Sequence, residues 1–184
     1  PEMIRAYYAS LRFLVAPHIL QTCGAMLILD IDCMVMNEFE YPTKPVGYFP
    51  RESLPGTVGW EAEGTKVAAG AVYYHVNAFE VASAVADELS KLPMQWFNDQ
   101  IALSKTFARV QQNDAFHYFD ENFMDWEFNE GSTIWTGKGS RKYDNVDYVA
   151  QKNFWNKSVM NKCAAYTDVI LKPRLDIPFK KFGC

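Results

Sequence analysis

Asp30 and Asp32 stand one residue apart in the stretch AMLILDIDCMVM, Ala25 to Met36. Two carboxylates at that spacing can address one divalent cation or one polyol together, provided that they share a face, and hard cations such as magnesium and manganese take oxygen ligands of this kind. In an extended strand, residues i and i+2 do share a face. The apolar residues on both sides suit a strand buried on both faces of a parallel sheet, whose carboxyl end is where such sheets place ligands. A D-x-D pattern also arises by chance, so other groups have to support it.

Several can be named. The segment TGKGSRK, Thr136 to Lys142, holds Gly139 between Lys138 and the pair Arg141 and Lys142. Glycines let backbone N–H groups approach an anion, and the cations add charge-assisted bonds to phosphate oxygens. Its spacing is not that of a Walker loop, and taken alone a solvated basic turn accounts for it equally well. Asp99 and Gln100 open the helical pattern DQIALSKTF behind Asn98, where a carboxylate also simply complements the helix dipole. Arg12 lies inside an apolar helical pattern; it either snorkels to solvent or aims a cation at a phosphate or sugar, and the pattern alone favours the first. Gly70 interrupts the β-rich run KVAAGAVYYHV and costs strand stability unless a bulge or a ligand needs the space. His117 has no partner at metal-binding spacing and reads as a packed or surface histidine.

These groups need elements to hold them. Glu2 to Leu20 has Ile4, Tyr7, Tyr8, Leu11, Leu14 and Val15 at helical spacing, and Pro17 is expected to end or bend that helix. Short strands are expected at Val46–Phe49, Ala115–Phe119 and Ser132–Trp135, and a second central strand at Lys66–Val76. Asn77 and Glu80 form a capping-box pattern for a helix with Phe79, Ala82, Val85, Ala86 and Leu89 inward, stopped by Pro93. Val146–Lys162 closes the pattern as a helix. Pro50 to Thr65, punctuated by Pro55, Gly56, Gly59 and Gly64, reads as a binding or mobile loop.

The 184 residues, 49% hydrophobic and 22% charged, suit one domain spanning 1–184 with a sizeable core. A net charge of -4 gives no general attraction for nucleic acid or an anionic membrane, so any phosphate site must be local. No apolar run reaches the length of a bilayer span, and a cytoplasmic protein is expected. Cys23, Cys33, Cys163 and Cys184 lack C-x-x-C spacing and read as free thiols.

In order along the chain, AYYASLRFLVAPHIL, LILDIDCMV, VAAGAVYYHV, NDQIAL and TGKGSRK resemble the landmarks of GT-A fold glycosyltransferases. The likeness is strongest to the family 8 group of glycogenin and lipopolysaccharide galactosyltransferases. It implies an α/β fold, a mixed and mainly parallel sheet flanked by helices. It also implies sugar transfer from a nucleotide-diphosphate sugar, a UDP-sugar first, to a glycan, lipid-linked or protein acceptor, with retention of configuration and a Mn2+ or Mg2+ cofactor. On this resemblance Asp99 and Gln100 are the catalytic pair. Arg12, Asp30, Asp32, Gly70, Lys138, Gly139 and Lys142 serve the donor, with Gly70 also leaving room for the acceptor; Arg141 is less securely placed. The metal set is Asp30, Asp32 and Thr136, where the family has a histidine in place of Thr136; a hydroxyl is the weaker ligand. The strand-helix-strand unit that opens the family's fold is not matched before Pro1, so an N-terminally incomplete domain is expected. Two alternatives stand beside this reading. One is a haloacid-dehalogenase-type phosphatase, although that family has Thr or Val where Met34 stands; the other is an inactive carbohydrate- or nucleotide-sugar-binding domain.

Overall fold

The computed structural model describes residues 2–51, 67–110, 113–137 and 140–170, and divides into two compact units, 1–136 and 137–184. The expected loop at 50–65 lies almost wholly outside the described residues. The first unit is a mixed α/β structure. It opens with α1 (Glu2–Cys23), β1 (Ala25–Leu29), β2 (Cys33–Val35), β3 (Val46–Pro50) and β4 (Val67–His75). Then follow α2 (Phe79–Lys91), α3 (Asn98–Arg109), β5 (Phe116–Tyr118), β6 (Met124–Asp125) and β7 (Ile134–Thr136).

The strands form two sheets, one in the order β1-β4-β3-β5 and one in the order β2-β7-β6. The mixed character expected from the sequence is present, but the balance differs. Among the described residues, β1 with β4, β3 with β4 and β2 with β7 run antiparallel, and β3 with β5 and β6 with β7 run parallel. The stretch read as one continuous strand is two. β1 ends at Leu29, the chain turns at Asp30–Asp32 with Ile31 fully exposed, and β2 joins the other sheet. Cys33 N–H donates to Asp30 O at 3.0 Å and closes this turn, a position that aspartates favour. Nor is β1 buried on both faces: only Ile28 is buried.

In the four-stranded sheet, β4 is buried on both faces. Val67, Ala69, Val72 and Tyr74 enter the main core, whereas Ala68 and Ala71 pack with Met124 on the opposite side. Strict alternation would put Ala69 and Ala71 together, so the phase changes at Gly70. The pairing with β3 shows the same irregularity: Tyr48 pairs with Val72, and the next residue, Phe49, pairs with Ala68. Gly70 sits in this bulge, one of the two reasons the sequence offers for a glycine there.

α1 also departs from expectation. Its buried face is Ala6, Ser10, Phe13, Ala16 and Leu20, while Ile4, Tyr7, Tyr8 and Val15 are exposed. The small residues on the buried face let α1 lie close against α2, and that packing carries the helix through Pro17 to Cys23. α2 begins at Phe79 rather than at a cap on Asn77, because a single 3-10 turn, Val76–Ala78, intervenes and His75 accepts from Asn77 N–H.

In the second unit, α4 (Arg141–Asp144) precedes α5 (Val146–Ile170), which is longer than expected; Asn145 Oδ1 accepts from Tyr148 N–H at 2.8 Å near its start. Among the described residues no helix is long and apolar enough to cross a membrane.

Candidate active site

The first unit brings three of the singled-out residues into direct contact. Arg12, on α1, forms an ion pair with Asp30 Oδ1 through Nη1 and bonds Asp99 Oδ2 through Nη2 at 3.1 Å; its Nε donates to Ala9 O. One rigid guanidinium therefore ties together the helix α1, the D-x-D turn and the start of α3. Its fork is held by its own helix, so the two carboxylates are referenced to a fixed frame.

Asp30 is also fixed through its backbone, whose N–H donates to Gly70 O at 3.0 Å. A Cβ on Gly70 would stand 3.3 Å from Asp30 Oδ2 and 3.6 Å from Met124 Sδ, so the missing side chain is the room in which the carboxylate lies. Burial raises the Asp30 pKa; Arg12 opposes it, the neighbouring charges of Asp32 and Asp99 reinforce it, and the outcome is a carboxyl above the ordinary range. A carboxylate held against its own preference gains from a bound cation.

α3 begins with Asn98, Asp99 and Gln100, all buried. Asn98 is not the N-cap: Phe97 precedes the helix with a left-handed φ of 71°, and the Asn98 side-chain amide instead donates to Pro93 O, tying down the loop from α2. A non-glycine residue in that region stores strain, and such strain concentrates where side chains must be placed accurately. Asp99 Oδ1 accepts from Gln100 N–H at 2.9 Å, so both oxygens of Asp99 are engaged. Gln100 Oε1 accepts from Arg51 Nη1 at 3.1 Å.

Thr136 lies opposite Cys33 in the β2–β7 ladder, buried, with its hydroxyl bonded to the Cys33 thiol. Burial pushes that thiol up to about 12. The Cys33 Sγ also approaches Gly70 O at 3.5 Å. This hydroxyl lies inside the ladder, next to the D-x-D turn. Among the described residues, no group of three or more His, Cys, Asp or Glu side chains could hold a metal ion. Asp30 and Asp32 stand in a turn and not in a strand, so the shared face that a strand would give them does not follow from their spacing; the charge of Asp32 is near enough to raise the Asp30 pKa.

No family model and no curated protein matches the chain. Among solved structures it is similar to a protein described as a glycosyltransferase involved in the glycosylation of the major capsid of PBCV-1. The identity is 14%, over 74% of this chain and 73% of that chain, with a TM-score of 0.47.

Of the remaining singled-out residues, Lys138, Gly139 and Lys142 belong to the second unit and His117 to the first. Lys138 and Gly139 are outside the described residues. Lys142, on α4, has its Nζ 5.5 Å from the centre of the Tyr143 ring. His117 is exposed and meets Phe119 edge-on, in keeping with a surface histidine. Arg51 was legible only as one charge in an irregular segment. Its approach to Gln100 depends on where β3 ends relative to α3, and no local pattern encodes that.

Proposed function

We propose that this chain is a glycosyltransferase domain that uses a nucleotide-diphosphate sugar as donor and a divalent cation held by Asp30 and Asp32. The observation that carries the reading is the Arg12 bridge, which joins the D-x-D turn to the D-Q helix start. A cleft built for sugar transfer needs a carboxylate pair for the cation and diphosphate beside polar groups that hold sugar hydroxyls, and the bridge sets these two functions side by side.

Mn2+ or Mg2+ on Asp30 and Asp32 would supply positive charge to the leaving diphosphate. The chain's own residues do the rest. Arg12 orients Asp30 and Asp99 so that neither carboxylate reorganises when the donor enters. The buried Asp99 carboxylate offers its remaining lone pairs to sugar hydroxyls. Gly70 keeps space beside Asp30. On the sequence resemblance alone, Lys138, Gly139 and Lys142 are further candidates to serve the donor, and Thr136 pairs with Cys33 next to the turn. Family 8, and UDP as the nucleotide, rest on the sequence resemblance.

The phosphatase alternative requires Asp30 as a nucleophile. Its Oδ1 is paired with Arg12 and its carboxyl is biased toward protonation, and both weaken nucleophilic attack.

Calorimetric titration with UDP, GDP and their sugar conjugates, with and without manganese, tests the proposal. Manganese-dependent binding that disappears in Asp32→Asn is expected. Binding indifferent to the cation, or turnover of a generic phosphate ester that depends on Asp30, would overturn it.

A further inference from the structure

Arg51 and Gln100 take no part in the Arg12 bridge, yet they determine what the start of α3 offers a ligand. An amide side chain has an accepting and a donating end, whereas a guanidinium can only donate. The 3.1 Å contact from Arg51 Nη1 therefore sets the orientation of the Gln100 amide: Oε1 faces Arg51, and the NH2 points away from it. That NH2 has no hydrogen-bond partner among the described residues and is not one of the buried unpartnered polar groups. The acceptors at this helix start are already engaged. Asp99 Oδ2 is on Arg12, Asp99 Oδ1 is on the Gln100 N–H, and Gln100 Oε1 is on Arg51. On Gln100 itself, what remains is a donor.

We propose that Arg51 is a positioning residue that locks the Gln100 amide, so that Gln100 meets the substrate as a hydrogen-bond donor to an oxygen of the nucleotide sugar. The inference rests on the glycosyltransferase reading for its ligand and on the Arg51–Gln100 contact for its geometry. Gln100 then cannot present its carbonyl oxygen to positive charge developing on the sugar, because that oxygen is held by a cation.

Two variants separate the geometry from the ligand. Gln100→Glu keeps an acceptor for Arg51 and removes the donor. It should fold with unchanged or higher Tm and bind UDP-galactose, in the presence of manganese, about tenfold more weakly. Arg51→Met should shift the Gln100 side-chain NH2 resonances in the 15N NMR spectrum of the ligand-free protein, and Arg51→Lys should restore them in part. Unmoved NH2 resonances in Arg51→Met, or wild-type affinity in Gln100→Glu, would overturn the proposal. If the wild-type protein binds none of a panel of UDP- and GDP-sugars, the glycosyltransferase reading fails; the donor role fails with it, and the NMR comparison decides the amide's orientation independently.

Discussion

Arg12 shows how little a residue's local surroundings say about its work. Within the sequence it is one cation in an apolar helical pattern; in the folded chain it is the common partner of carboxylates 18 and 87 residues further on. Its side chain and that of Asp99 are largely buried, at 18% and 8% exposure. Removing one partner from such a pair leaves a charge with neither water nor a counterion. Arg12→Met is therefore expected to destabilise the protein by about 3 kcal/mol in urea unfolding, and Arg12→Met with Asp99→Asn by less than Arg12→Met alone. A loss well under 1 kcal/mol would class the bridge with ordinary surface pairs. Gly70→Ala acts on the same site from the other side. The new methyl would sit 3.3 Å from Asp30 Oδ2, so the carboxylate has to yield by a few tenths of an ångström. Stability should fall by about 1 kcal/mol or less, whereas manganese-dependent UDP affinity should fall about tenfold, as when an outer partner of a metal ligand is changed. Equal affinity in the two proteins would remove Gly70 from the site.

At the scale of elements, the sequence was informative where one physical rule governs and uninformative where two compete. The α2 stripe of Ala82, Val85 and Leu89 and the stop before Pro93 were legible because that helix has one buried face. α1 was misread because its aromatic and β-branched residues suggested one face, whereas close packing against α2 selected the small residues Ala6, Ser10 and Ala16 on another. The D-x-D stretch was misread as one strand because an apolar run cannot announce a change of sheet; the turn rests on a bond from Cys33 N–H to Asp30 O and on the bulge at Gly70, both set by pairing with distant strands. β6 was missed for a similar reason, being two residues long and organised by Asp125 rather than by any apolar pattern. That buried carboxylate accepts from Glu127 N–H, Asn129 N–H, the Asn129 side-chain amide and the Ser132 hydroxyl at 2.6–3.0 Å. Burial pushes its pKa up, the four donors outweigh burial, and the carboxyl ends below its ordinary 3.8. A lowered pKa means stability that is complete above the unfolded value and lost as pH falls through the folded one. Asp125→Asn, which keeps one acceptor oxygen in place of two, should cost about 2 kcal/mol at neutral pH. In urea titrations the gap from wild type should hold down to about pH 4 and then narrow. A gap that stays constant to pH 2 would show that the carboxylate's charge contributes nothing.

At the scale of the whole molecule, the governing quantity is charge. The chain carries a formal -4, with a pI near 5.4, and the site itself gathers Asp30 and Asp99 on one arginine, with the charge of Asp32 acting on Asp30. A nucleoside diphosphate approaching such a surface meets repulsion, which under the proposed function a bound cation would offset. Binding to the folded state alone stabilises it by about 2.7 kcal/mol when ligand exceeds its Kd a hundredfold. For a chain of this length that is a rise in Tm of about 5–10 °C. UDP with manganese should produce a rise of that size in a thermal-shift experiment, UDP with EDTA close to none, and Asp32→Asn should lose the manganese-dependent part while unfolding cooperatively. Raising the ionic strength from low to physiological should trim the shift without abolishing it, because a contact between a cation and phosphate in a partly buried site is screened less than one in open solvent. If UDP raised Tm as much with EDTA as with manganese, the two aspartates would not be the cation's holders, and the basic segment Thr136 to Lys142 would become the first place to look for the phosphate site.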